Sequence, residues 1–569
     1  MISVKINHKT VKTTPEKTIL EVLRKEGIDI PTLCHMQGFP PTGSCRMCVV
    51  EVKDFPGLVP SCSYPVRAGM EIQTHSNRVL EARRTILELL LATHPDDCLY
   101  CGKKEDCYLL ELSSRMNVDR RPYRAVKKEM KRDIASNSII RDNAKCILCG
   151  KCVRICEEVQ QVGAIDFVNR GADTCVASAF EDSINLSTCI GCGQCIMVCP
   201  TGALQEKSYL NEVMEALNNP AKTVVVQNAP AVSVTIAQEL DLDSQVEPQA
   251  VLTGILKKMG FDYVFETGFS ADLTIMEESS ELIERLQQGG KLPMFTSCSP
   301  GWVDYVEKFH PELRDYLSSC KSPQQMLGSL VKTFWAESQK INHDDIFHVA
   351  IMPCTAKKSE AERSDLLTGG NKDIDAVLTT REFLKLIKLH GIEVEKIESS
   401  PADTLLGKHS SAGKLFAASG GVMEAALRTA HYLITGKNME EPEISTLRNL
   451  REHKETELKV GNYDLKVAVV YGLGAANKLL EEIKRGEEKY DFVEVMTCPG
   501  GCVGGGGQPF GADQEKIRER MEALYKIDSR QKVRFSHENE SIKNIYAEFL
   551  GKPLGKKSHE LLHVRRTNQ

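Results

Sequence analysis

Four of the five cysteines in the long C-terminal part of this chain lie in three short segments rich in small residues. Cys298 sits in Phe-Thr-Ser-Cys-Ser-Pro-Gly-Trp (295–302), Cys354 in Ile-Met-Pro-Cys-Thr-Ala-Lys-Lys (351–358), and Cys498 and Cys502 in Met-Thr-Cys-Pro-Gly-Gly-Cys-Val-Gly-Gly-Gly-Gly-Gln-Pro (496–509). Thiolates are metal ligands, and glycine removes the side chains that hold a backbone away from a bulky group. The pattern predicts loops that grip a large inorganic centre.

The other sixteen cysteines precede residue 200. Cys34, Cys45, Cys48 and Cys62 are spaced so that the Cys45-Arg46-Met47-Cys48 loop can wrap a flat two-iron cluster, although four thiolates would also suit structural zinc. That arrangement resembles a plant-type ferredoxin domain with modified spacing. His94 stands before Cys98, Cys101 and Cys107. A solitary histidine is usually no ligand, but this one is at ligand spacing from three cysteines, and the set resembles a His-plus-three-Cys 4Fe-4S segment of hydrogenases and of a respiratory Complex I subunit.

Two runs of the form C-x2-C-x2-C-x3-C follow, Cys146 with Cys149, Cys152 and Cys156, and Cys189 with Cys192, Cys195 and Cys199. In such pairs the fourth cysteine of each run ligates the other run's cluster. One 4Fe-4S cluster therefore takes Cys146, Cys149, Cys152 and Cys199, and its partner takes Cys189, Cys192, Cys195 and Cys156. Glu157 stands after Cys156 where Pro is usual, and Cys175 fits neither run and reads as a buried thiol. Disulfide frameworks belong to small secreted domains, so these spacings point to metal. One 2Fe-2S and three 4Fe-4S clusters in one chain make sense as a wire.

Several domains must position these groups, since one core stops growing near about 250–300 residues. Cysteine density gives four: 1–80, a plant-ferredoxin-like β-grasp module with strands over 3–6 and 10–12 and a helix over 18–27; 81–125, a small helical cluster module; 126–209, a bacterial ferredoxin-like module for two 4Fe-4S clusters; and 210–569, a large α/β domain. The charged stretch 127–132 reads as a linker. In the last domain strands are predicted at 224–226, 264–265, 293–295, 349–351, 375–378 and 466–470, and helices at 249–260 and 276–288. Mostly parallel strands place the three cysteine loops at strand ends, where α/β sheets hold their ligands.

The formal charge is only −6 over 569 residues, with no basic stripe, so nucleic acid is not expected. We find no apolar run of about 18 residues and no N-terminal leader. A cytoplasmic protein off the membrane, a monomer or small homo-oligomer, is the expectation. No flavin or dinucleotide glycine fingerprint occurs, so NAD would have to bind another chain.

Taken together the three loops and the ligand order closely resemble the clostridial-type monomeric iron-only (FeFe) hydrogenases, over essentially the whole chain. The resemblance implies an H-cluster: a 4Fe-4S cluster bridged to a two-iron subcluster with CO, cyanide and azadithiolate ligands, supplied by separate maturation proteins. It implies cluster ligation by Cys354, Cys498 and Cys502, with Cys502 bridging, a lysine on cyanide at Lys357, and Met352 and Met496 packed around the two-iron unit. Where the family has two adjacent cysteines this chain has Cys298 and Ser299. In register, Cys298 relays protons and Ser299 faces the fourth iron; a loop slipped by one residue would exchange those roles. The family's proton path maps to Glu278, Glu281, Ser318 and Arg285, with three of them on one helix face; without the loops, a solvated face would be the better reading.

The activity so implied is reversible reduction of protons to dihydrogen with a ferredoxin-like carrier. The alternatives are the H-cluster subunit of an NAD-linked bifurcating complex, or a non-catalytic sensor or iron-sulfur assembly relative.

Overall fold

The computed structural model of the protein describes residues 1–123, 125, 130–242, 247–404 and 407–564. Part of the expected linker, 127–129, lies outside them.

The first module is a five-stranded sheet in the order β2-β1-β5-β3-β4, built from β1 (Ile2–Ile6), β2 (Lys9–Thr13), β3 (Val49–Val52), β4 (Leu58–Pro60) and β5 (Glu71–Gln73). Alternation along β1 buries Val4 and Ile6 and leaves Lys5 outside. The helix Ile19–Lys25 starts where Thr18 and Glu21 form a reciprocal capping box, and it buries Ile19, Leu20, Val22 and Leu23.

The second module is less helical than expected. A helix, Asn77–Thr93, begins before residue 81 and stops at His94, whose backbone turns extended ahead of Pro95. Short 3-10 turns, Cys98–Tyr100 and Lys104–Asp106, then lead to the helix Tyr108–Arg115. In the third module each cysteine run enters a short helix, Lys151–Arg154 or Gln194–Val198, through a left-handed glycine, Gly150 or Gly193. Strands β6 (Ile139–Arg141) and β9 (Leu204–Glu206) pair antiparallel around this repeat. The hairpin of β7 (Asp166–Val168) and β8 (Cys175–Ala177) between the runs has no counterpart among the expected strands, and it buries Cys175.

The large domain holds two four-stranded sheets. One is fully parallel, β11-β10-β13-β14, from β10 (Thr223–Asn228), β11 (Tyr263–Glu266), β13 (Ile346–Met352) and β14 (Ala376–Thr379). The other runs β12-β17-β16-β15, from β12 (Met294–Phe295), β15 (His453–Val460), β16 (Tyr463–Tyr471) and β17 (Phe492–Met496), with only edge strand β15 antiparallel. Runs such as Val224-Val225-Val226 are buried throughout, as expected of strands covered on both faces. The helix expected over 276–288 is Thr267–Gln288. Its first nine residues are all buried, so no amphipathic stripe marks them in the sequence.

The C-terminal segment returns to the loop that follows Leu317. Val564 N–H donates to Ser319 O, and Lys321 N–H donates to Leu562 O. Among the described residues no helix is long and apolar enough to cross a membrane.

Candidate metal centre and its approaches

Each of the three cysteine loops leaves the C-terminal end of a parallel strand: Cys298 follows β12, Cys354 follows β13, and Cys498 follows β17. They converge on one cavity, lined by Cys298, Ser299, Cys354, Cys498, Cys502 and Lys357 among others. Met352 and Met496 line it too and are buried. Burial pushes the Cys498 and Cys502 thiols up to about 12. Thiolates persist there only beside a cationic metal group, which fits a site built for a cluster.

Lys357 extends toward the first loop and donates to Cys298 O at 3.3 Å. Glu360 holds it at 3.0 and 2.8 Å, and Glu360 in turn accepts from Ser322 Oγ and Gln324 Nε2. Glu494, wholly buried on β17, accepts from the N–H groups of Gly420 and Met423 at 2.6 and 2.7 Å, pinning the third loop's strand to the start of the helix Gly421–Thr435. Sequence reasoning misses both Glu360 and Glu494; Lys-x-x-Glu spacing on a helix is the signal that could have found the first.

The glycine run serves a second contact besides the cavity. A Cβ on Gly505 would lie 2.1 Å from Pro353 O, and one on Gly506 would lie 2.0 Å from Cys192 O. The bare backbone thus lets the third loop nest against the second loop and against a cysteine loop of the ferredoxin-like module, while Gly501 and Gly505 also line the cavity.

Ser299 stands at the N-cap position of the helix Pro300–Phe309 without a side-chain capping bond, and its Oγ lies 2.9 Å from Thr497 Oγ1. Cys298 is partly buried at the cavity wall, and burial, then the charge of Glu278, raises its pKa. Glu278 is itself buried, with the Ser318 hydroxyl and the Ser297 N–H facing it beyond ordinary hydrogen-bond geometry, and it is pushed up to about 8 by burial and then by the charge of Glu281. Ser318 Oγ donates to Glu281 Oε2 at 3.0 Å, and Arg285 donates to Glu281 Oε1 at 2.6 Å.

Comparisons with known proteins bear on this geometry directly. The family model for the C-terminal domain of the iron-only hydrogenase large subunit matches residues 222–506, and that for the iron hydrogenase small subunit matches 514–568. Iron hydrogenase 1 of Clostridium pasteurianum is 38% identical over 99% of this chain and 100% of that protein. The chain belongs to the iron-only hydrogenase family.

Another relative of this hydrogenase, NADP-reducing hydrogenase subunit HndD of Solidesulfovibrio fructosivorans, is 43% identical over 99% of this chain and 98% of that one. Cytosolic iron-sulfur assembly component 3 of Mus musculus is 32% identical over 68% of this chain and 83% of that protein. Among solved structures, an apo FeFe hydrogenase of Chlamydomonas reinhardtii superposes with a TM-score of 0.57 at 42% identity, covering 63% of this chain and 98% of that chain.

The hydrogenase carries iron-sulfur domains ahead of its catalytic domain. A 2Fe-2S iron-sulfur cluster binding domain matches 1–77, the iron-sulfur binding region of NADH-ubiquinone oxidoreductase G matches 83–122, and a 4Fe-4S dicluster domain matches 145–203. All twenty-one cysteines are free of disulfides. In the first domain the thiols adjoin pairwise, Cys34 with Cys45 and Cys48 with Cys62. His94 Nδ1 lies 3.1 Å from Pro95 O, which leaves Nε2 buried and unpartnered as a ligand lone pair should be. Cys98, Cys101 and Cys107 lie on the turns beyond it.

Cys146, Cys149, Cys152 and Cys199 line one small cavity, and Cys156 faces the group of Cys189, Cys192 and Cys195. The modules touch in series. Cys45, Cys107 and Ile147 share one apolar cluster, the Gly202 Cα packs against Cys101 Sγ, and Gln194 reaches Cys498.

Proposed function

We propose that this hydrogenase catalyses the reversible reduction of protons to dihydrogen with electrons from a ferredoxin-like carrier. The observation that carries the proposal is the convergence on one largely apolar cavity of Cys354, Cys498, Cys502, Lys357 and Cys298, with the charge of the buried Glu278 acting on Cys298.

In this proposal Cys354, Cys498 and Cys502 hold the H-cluster, Cys502 as the bridge, and Lys357 offers charge-assisted hydrogen bonds to cyanide. When bound, the cluster with its two-iron subcluster, CO, cyanide and azadithiolate joins protons and electrons into dihydrogen. Met352 and Met496 fill the irregular space around it with soft thioethers. Cys298 lies beside Glu278, which favours the in-register role: Cys298 moves the proton, and Ser299, paired with Thr497, presents oxygen where the family has a thiolate. Glu281 and Ser318 feed Glu278, while the serial contacts of the N-terminal modules carry electrons from one 2Fe-2S and three 4Fe-4S clusters inward.

A second reading rests on the NADP-reducing relative, which this chain matches along its whole length. There the chain would be the H-cluster subunit, and NAD(P) would bind a partner. Hydrogen evolution by matured protein with reduced ferredoxin alone supports the first reading. Turnover only when partner chains and a nicotinamide cofactor are added supports the second, and no turnover despite an intact two-iron unit supports a sensor or assembly role like that named for the mouse relative.

A further inference from the structure

The surface end of the expected proton path is Arg285, and its chemistry is wrong for a carrier. A guanidinium has no lone pair to accept a proton and stays charged throughout the working range. Its Nη atoms are also committed, to Lys291 O, Tyr316 O, Leu317 O and Glu281. Arg285 clamps Glu281; it does not deliver to it.

A group that can deliver stands on the other side. Ser319 Oγ lies 3.0 Å from Glu281 Oε2 and 2.8 Å from His563 Nδ1, so one hydroxyl bridges carboxylate and imidazole. His563 comes from the C-terminal segment, paired by a bridge with Cys320. Its Nε2 lies 3.1 Å from Glu277 Oε2, and the exposed ring of His559 lies 4.3 Å from its own. The groups facing His563 are therefore Glu277 and Glu281 from the helix Thr267–Gln288, Ser319 and Cys320 from the loop after Leu317, and His559 from its own segment; Glu277 is also held by Tyr546 and Ser558.

We propose that His563, reached from solvent through His559, is the proton donor to Glu281, with Ser319 as the connecting hydroxyl. This rests on the relay reading of Glu278, Glu281 and Cys298 given above. In the step, the Nδ1–H bond of the imidazolium breaks and that proton joins Ser319 Oγ, as the proton Ser319 held moves to Glu281 Oε2. The serine ends with one proton, the carboxylate neutral and the imidazole neutral with its remaining N–H at Nε2 toward Glu277; the ring is reloaded when a proton entering past His559 is taken up at the vacated Nδ1 after the ring turns. Imidazole suits this because its two ring nitrogens can accept a proton and donate one.

The test uses matured full-length protein. His563→Gln keeps a polar group of similar reach without a titrating one. We expect its hydrogen evolution to fall at least about tenfold near neutral pH, with the pH profile changed in shape and cluster spectra unchanged. His563→Gln combined with Ser319→Ala should be no slower than either alone, because both break one path, whereas independent structural damage would multiply. His563→Ala should recover rate with added imidazole. Wild-type rates and pH profile in His563→Gln, multiplying losses in the double variant, or no imidazole rescue would each overturn the proposal. If Glu278→Gln is inactive while His563→Gln is normal, only this branch fails; if Glu278→Gln is itself normal, the relay reading fails.

Discussion

Glu278 is a buried carboxyl group on which the Ser318 hydroxyl and the Ser297 N–H act, which makes Glu278→Gln an informative perturbation. Glutamine keeps the shape but cannot carry a proton, so turnover should drop by about 10²–10⁴-fold, the range for losing a positioned acid–base group. Stability should move the other way. Burial, followed by the charge of Glu281, raises the folded-state pKa from 4.5 to about 8. Below the unfolded value both states are protonated and the term vanishes. Between that value and about 8 the unfolded chain ionises while the folded one keeps its proton, so wild-type stability falls as pH rises. At about 1.4 kcal/mol per pH unit the loss approaches about 5 kcal/mol as an upper bound. The glutamine variant escapes it. Hydrogen evolution, with anaerobic melting of the loaded protein at pH 5.5 and 8.5, reads both effects: a dead enzyme whose melting advantage over wild type grows with pH. A variant that evolves hydrogen normally, or whose stability difference does not change with pH, would refute the reasoning.

Three further outcomes are expected. Ser299→Cys supplies a thiolate in place of the Ser299–Thr497 hydroxyl pair, so iron content per chain should rise and the cluster's potential should shift; identical iron content and potential would show that the fourth iron is held elsewhere. His94→Ala removes the unpartnered Nε2, so one 4Fe-4S signal should be lost or altered in electron paramagnetic resonance, and ferredoxin-driven turnover should fall while a small dye reaching inner clusters still supports it. Gly505→Ala drives a methyl group into Pro353 O, which is backbone and cannot swing away, so we expect about 1–3 kcal/mol of destabilisation and poor iron loading, both visible in melting and iron assays.

The metal-binding parts of this protein are largely legible because ligand spacing is a local code. The paired C-x2-C-x2-C runs specify where four thiols meet, and the structure gathers Cys146, Cys149 and Cys152 with Cys199 from the other run. Strands of the parallel sheet are legible for a related reason: Val224-Val225-Val226 and Val349-Ala350-Ile351 are apolar runs of strand length. What stays hidden depends on distant contacts. The start of the helix Thr267–Gln288 is buried all round and carries no periodicity. The purpose of Gly505 and Gly506 follows from which carbonyls face them, and those belong to Pro353 and Cys192. Glu494 acts on a helix start more than seventy residues earlier in the chain, and His563 meets Glu281 only because the C-terminal segment folds back.

The measurement closest to the central claim is infrared spectroscopy of matured protein in the region of CO and cyanide stretches, where ordinary protein groups are silent, on wild type beside Cys502→Ser. If Cys354, Cys498 and Cys502 hold the H-cluster, wild type shows the bands and the serine variant, having lost the proposed bridging thiolate, shows them lost or displaced. Absent bands in wild type that has been fully matured, or bands indifferent to Cys502, would contradict it.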